Sequence, residues 1–448
     1  MADKEVLERI LSMIPEDFQN FYDAPQRQKR CARRWGREMT GNIIIGQSGG
    51  PTAVINSSAA GVYKAAKAAG VKKVYGMIYG IQGFMEDKIL DMDEYLSDDE
   101  GIELLKRTPA AFLGSCRYKM PPLTGNEEIY EKVFERMEQH DIECLFYIGG
   151  NDSMDTVKML SDYASMHGRK QRFIGVPKTI DNDLPITDHC PGYGSAAKYI
   201  ATSLKEIIRD NAVYGDYRTS ILVAEIMGRN AGWLTAASAL AKDSSCEGVD
   251  AIYLPEVDFD IDAFLEKVKE LASKKKSIVI AVSEGIHLAD GRFICEIDSH
   301  GNDRVDVFGH KQLSGCGVYL AGLIQSRLGY KARAVELSTL QRAASHMASL
   351  TDINEAFMAG EAAFAACEQG LSGKMIIFTR PEGEEYSCGT DISDIHAIAN
   401  IEKDVPKEWI GADGCSITEE YLVYARPLIM GELFPIYENG LPKHLIRK

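Results

Sequence analysis

A chain of 448 residues with 45% hydrophobic and 8% aromatic content is long enough for two large cores, which makes a soluble two-domain enzyme the natural expectation. Its 50 basic and 66 acidic residues leave a net charge of -16, arguing against nucleic acid or an anionic membrane as the main partner. No apolar run approaches the roughly eighteen residues of a membrane span, the acidic N-terminus does not read as a secretory signal, and ten dispersed cysteines without a C-x-x-C pair fit reduced thiols, so a cytoplasmic protein is expected.

Residues 1–40 read as a helical extension, with a basic run from Arg27 to Arg37 that is most simply a solvated or subunit-contacting face. After Gly41 short β-rich runs alternate with helical stretches, the signature of an α/β protein. Strands are predicted over Asn42 to Ile45, Val74 to Tyr79, Cys144 to Ile148, Phe173 to Val176, Ile221 to Ile226, Ala251 to Leu254, Ser277 to Val282 and Ala332 to Leu337. Most are continuously apolar, as in parallel sheets covered on both faces. Ligands of such sheets lie beyond the carboxyl ends of the strands, so the loops there are the candidate site.

The first such loop, Gly46 to Thr52 with Gly49 and Gly50, offers backbone N–H groups and a helix start to a phosphate, although a plain tight turn reads equally well. The second, Gly149-Gly150-Asn151-Asp152-Ser153, has the same form with a carboxylate added; Asp152 alone is most simply a helix N-cap. The third, Pro177-Lys178-Thr179-Ile180-Asp181-Asn182-Asp183, gathers an anion-binding lysine and two carboxylates, and its Asp-Asn-Asp run also suits a turn. The fourth, Met227-Gly228-Arg229-Asn230-Ala231-Gly232-Trp233, places Arg229 where a helix dipole disfavours a cation unless an anion compensates. Ser283-Glu284-Gly285, Arg117, Arg333 and Arg342 supply further charge.

In this order, GGNDS, PKTIDND and MGRNAGW resemble the phosphofructokinase family from about Gly41 to about Ala363. The glycine-rich GGND alone would also suit NAD and lipid kinases, but TIDND and MGR would not. The resemblance implies two Rossmann-like three-layer domains with mainly parallel sheets and an active site in the cleft between them. The phosphoryl-donor domain would take residues 41–190 plus about 341–372, and the fructose 6-phosphate domain 191–340 plus about 373–448.

By the same resemblance, Asp181 is the base for the 1-hydroxyl of fructose 6-phosphate, flanked by Thr179 and Asp183, and Arg117 steadies the moving phosphoryl group. Gly49, Gly50, Gly150, Asn151, Asp152, Ser153 and Lys178 bind the donor. Thr179, Asp181, Met227, Gly228, Arg229, Glu284, Arg333 and Arg342 bind the sugar phosphate, with Arg333 reaching over from a neighbouring subunit. A homodimer or homotetramer with shared sites follows. Magnesium is the expected cofactor, held by Asn151 and Asp152, with Asn151 standing where most relatives carry an aspartate. Placing the 6-phosphate arginine at Arg342 leaves His310 a structural residue.

Bacterial family members that use ATP carry glycine at the positions of Asp152 and Lys178, and those that use pyrophosphate carry aspartate and lysine. A carboxylate about 4 Å from a nucleotide phosphate costs up to about 4 kcal/mol at an effective dielectric of roughly 20, nearly a thousandfold in binding. Pyrophosphate is therefore the expected donor. An ATP-dependent enzyme, a non-catalytic regulatory subunit, or a longer acceptor such as sedoheptulose 7-phosphate are the alternatives.

Overall fold

A strand forms at every predicted position, most of them from runs of Ile, Val, Phe and Leu. The computed structural model describes residues 41–297, 315–383 and 385–447. Its strands are β1 (Asn42–Gln47), β2 (Val74–Met77), β3 (Ile89–Asp91), β4 (Ile142–Gly149), β5 (Arg172–Pro177), β6 (Ser220–Ile226), β7 (Ala251–Tyr253), β8 (Ser277–Ser283), β9 (Lys331–Glu336), β10 (Lys374–Thr379) and β11 (Gly389–Asp394). The predicted extension over residues 1–40, with its basic run, and His310 lie outside the described residues.

Two sheets result. The first has seven strands in the order β11-β10-β5-β4-β1-β2-β3 and the second four, β7-β8-β6-β9. Within these two sheets all pairs are parallel except β2 with β3 and β10 with β11, where an antiparallel strand closes each edge of the first sheet. Parallel neighbours need crossovers, and the crossover helices cover both faces. Ile43, Ile45 and Phe146 face the layer of helices Ile55–Ala68 and Leu350–Glu368, while Ile44, Leu145 and Tyr147 face that of Glu127–Gln139 and Asn151–Met166. In the second sheet Leu222 and Ala224 pack toward helix Tyr193–Asn211, and Ile221 and Val223 toward Ile261–Lys274 and Cys316–Leu323. Each sheet is thus the middle of a three-layer α/β unit.

The expected division of the chain needs one correction. The segment after about residue 373 does not all belong with the second sheet, because β10 pairs parallel with β5 and β11 pairs with β10. Met375, Ile376, Ile377 and Phe378 are buried, and only a strand inside a covered sheet satisfies both those side chains and their backbone polar groups. The later helix Glu419–Ala425 does pack with the second unit, through Tyr421 and Ala425.

This topology places the site. β1, β4 and β5 are neighbours, so the loops at their carboxyl ends emerge side by side. β6 and β8 are likewise paired, and their following loops carry Met227 to Trp233 and Glu284.

Candidate active site

The loop after β1 turns through Gly49, whose φ of 76° lies in the left-handed region that a side chain disfavours. The Gly49 N–H donates to the Cys116 carbonyl at 3.2 Å, and the Ser115 hydroxyl donates to the Gly49 carbonyl at 2.6 Å. Arg117 is thereby tied to the glycine loop. Lys178 joins the same lattice: its Nζ donates to the Gly50 carbonyl at 2.7 Å and its N–H to the Gly149 carbonyl at 3.0 Å.

In the second loop Gly150, not Asp152, is the N-cap of helix Asn151–Met166, and Asp152 sits in the first turn, where the partial positive charge of the helix start favours a carboxylate. The capping role expected of Asp152 is replaced by an orientation that puts it in the wall of a cleft.

That cleft, of about 310 Å³, is lined by Gly49, Gly50, Arg117, Gly150, Asn151, Asp152, Ser153, Lys178, Thr179, Asp181, Asp183, Met227, Arg229, Glu284 and Arg342. Residues expected to hold the two substrates therefore face one space. Gly228 shapes the wall from behind, at a φ of 141°, with its carbonyl accepting from the Ser283 hydroxyl and its N–H 3.5 Å from Glu284 Oε1. Arg333 is elsewhere. It is exposed and pairs with Asp210 at 2.9 Å, outside the cleft of its own chain.

Both readings of the Asp-Asn-Asp run are present at once. Asn182 is the turn residue, left-handed at a φ of 56°, with Nδ2 donating to Tyr424 Oη at 2.8 Å and Oδ1 accepting from the Cys190 N–H at 2.9 Å. With Asn182 pinned, the aspartates on either side are left for the cleft. The Asp181 N–H is bound by Thr179 Oγ1 at 3.0 Å.

The electrostatics are tense. Burial brings Lys178 down to about 8, against the attraction of Asp181 and Asp183 and with repulsion from Arg342 and Arg117 added. Burial, then the neighbouring Asp183, holds Asp181 well above the usual carboxylate range, and burial raises Asp183 as well. Glu284 is pushed up to about 7 by burial and by Asp181, and Arg342 is lowered by burial and by Arg117. Three cations that repel one another and carboxylates of raised basicity in one cleft form a site suited to an anionic ligand and to proton acceptance.

Magnesium prefers hard oxygen donors. Asp152 and Asp183 supply them, and Asp183 Oδ1 is buried with no hydrogen-bond partner among the described residues. Asn151 does not fit the ligand role expected of it. Its Oδ1 accepts from the Asn400 N–H at 2.7 Å and its Nδ2 donates to the Ile401 carbonyl at 2.6 Å, so both ends of the amide serve the backbone of a distant segment.

The cleft also contains residues to which the sequence assigned no role, among them Ser48, Tyr118, Asn230 and Glu402. Ser48 and Asn230 stand inside the recognised loops and Tyr118 follows Arg117, so these three could have been found by adjacency. Glu402 carries no local signature.

Comparison with known proteins identifies the family. The phosphofructokinase family profile matches residues 42–337. The chain is 43% identical over 404 residues to the pyrophosphate–fructose 6-phosphate 1-phosphotransferase of Halomonas elongata, covering 90% of this chain and 95% of that protein. It is 42% identical over 406 residues to the protein of the same name from Methylococcus capsulatus, covering 90% and 95% respectively. The crystal structure of a pyrophosphate-dependent phosphofructokinase from Nitrosospira multiformis superposes with a TM-score of 0.81 at 38% identity, over 90% of this chain and 95% of that one. With the profile matched over about two thirds of the chain and relatives 43% and 42% identical over 90% of it, the chain belongs to the phosphofructokinase family.

Proposed function

We propose that the protein transfers a phosphoryl group from pyrophosphate to the 1-hydroxyl of fructose 6-phosphate, giving fructose 1,6-bisphosphate and phosphate, reversibly. The observation that carries the donor is the pair Asp152 and Lys178 in the wall of one cleft. A carboxylate there opposes the phosphate chain of a nucleotide, and the compact ammonium suits a small, densely charged anion.

Asp181 accepts the hydroxyl proton as the new O–P bond forms and the bridging P–O bond of pyrophosphate breaks, releasing phosphate. Its raised basicity suits that task better than an ordinary aspartate. Arg117, Arg342 and Lys178 gather the charge that spreads over the phosphoryl oxygens, since phosphoryl transfer is chiefly a matter of positioning and charge neutralisation. Glu284 receives sugar hydroxyls, and Met227, Gly228 and Arg229 form the loop against the sugar phosphate. Asp152 and Asp183 would hold magnesium, which when bound neutralises donor oxygens. Arg333, turned away from the cleft of its own chain, serves the site of a neighbouring copy, so the working unit is at least a homodimer. The compartment is the cytoplasm, where dispersed cysteines stay reduced.

Phosphorus NMR of the protein with magnesium, pyrophosphate and fructose 6-phosphate tests this reading. Resonances of fructose 1,6-bisphosphate and phosphate should appear, and the reverse mixture should regenerate pyrophosphate. Spectra that stay unchanged in both directions would reject it.

A further inference from the structure

The segment Asn400 to Val405 contributes Glu402 to the lining of the cleft and is hydrogen-bonded to the loops of both walls. On the donor side it is gripped by the Asn151 amide, through the Asn400 N–H at 2.7 Å and the Ile401 carbonyl at 2.6 Å. At the centre the Lys403 N–H donates to the Asp183 carbonyl at 2.8 Å, and Lys403 Nζ donates to the carbonyls of Thr187 and Asp188 at 3.1 and 3.0 Å. On the sugar side Glu402 accepts from Asn230 Nδ2 at 3.0 Å, Trp233 Nε1 donates to the Lys403 carbonyl at 2.8 Å, and Glu256 Oε1 accepts from both Gly232 and Val405 N–H groups, at 2.7 and 3.0 Å.

We infer that Asn151 is a positioning residue, a clip for this strap and not a metal ligand, and that the strap couples the donor loop to the sugar loop and to Asp183. The chemistry of the amide is specific to the task. One end accepts from an N–H while the other donates to a C=O of the next residue, a pairing an aspartate cannot make because a carboxylate has no donor and would face the Ile401 carbonyl as a second acceptor. The strap also explains why a carboxylate with no motif of its own, Glu402, lines the cleft: the clip on one flank and Lys403 on the other leave it between Asn151 and Asn230. Release of the clip therefore disturbs the wall opposite to the one that carries Asn151. A residue at the donor loop then acts on the affinity for the sugar phosphate.

The inference uses the proposed reaction only to choose the substrates, and amide exchange reads the strap without turnover. In Asn151→Ala, hydrogen exchange at Asn400 and Lys403 should quicken at least about tenfold, and KM for fructose 6-phosphate should rise by about tenfold with kcat within about threefold. The magnesium concentration for half-maximal rate should not move. A raised magnesium requirement with unchanged exchange over residues 400–405 would overturn the inference. In the wild type, the Asn400 amide should stay protected when magnesium and pyrophosphate are added; loss of that protection would mean that Asn151 turns to the metal, and would overturn it even if the variant did not fold.

Discussion

Asp181 and Lys178 occupy the same loop, and the cleft shifts their protonation in opposite senses. Asp181→Asn keeps the size of the side chain and removes the proton acceptor, so kcat should fall by about 10²- to 10⁴-fold with KM for either substrate little changed, as steady-state rates would show. For Lys178 the sign is set by burial, which lowers the ammonium from the ordinary lysine value near 10.4 to about 8. The charged form is present below that pH and is lost as pH rises through it. A pH profile of kcat/KM for pyrophosphate should therefore bend downward above about pH 8, and Lys178→Arg, which keeps its charge far higher, should lose that limb. Both residues were legible because they stand together in PKTIDND. Asn151 was legible as part of GGNDS but not in its role, since only the fold brings Asn400 and Ile401 to it.

The elements that frame the cleft depend on close packing. Helices Ile55–Ala68 and Leu350–Glu368 meet through glycines: a Cβ on Gly61 would lie 2.0 Å from the Phe357 carbonyl oxygen, and one on Gly360 would lie 2.1 Å from that of Ser58. Backbone cannot yield as a flexible side chain can, so Gly61→Ala or Gly360→Ala should force the helices apart and destabilise the first unit by about 1–3 kcal/mol or more. A lower thermal midpoint, with the second unit's helices unaffected in exchange measurements, is the expected result. At this scale the strands of both sheet centres were readable as continuous apolar runs. β10 has the same signature in Met375 to Phe378 and went unread, because its membership of the first sheet depends on pairing with β5, some two hundred residues earlier, which no local pattern encodes. Glu402 escaped for a related reason: hydrogen bonds from distant residues bring it to the cleft, not a turn sequence of its own.

For the whole molecule, the proposed service of Arg333 to a neighbouring copy sets how many chains make a site. Arg333 points away from the cleft of its own chain and pairs with Asp210 on the surface, which fits a cation lent to a neighbour. Arg333→Ala and Asp181→Asn should each be nearly inactive, yet co-expressed they should recover about a quarter of wild-type activity, because half of the dimers are mixed and each mixed dimer retains one intact site. No recovery would place a complete site within one chain. The choice of donor remains the central claim, and the net charge of -16 makes it a local matter of Lys178, Arg117 and Arg342 set against Asp152. The most direct test is the initial rate of fructose 1,6-bisphosphate formation with magnesium and either pyrophosphate or ATP, in the wild type and in Asp152→Gly. Turnover with pyrophosphate and not ATP in the wild type, with a gain of ATP use in the variant, is the predicted result; a wild-type preference for ATP would contradict it.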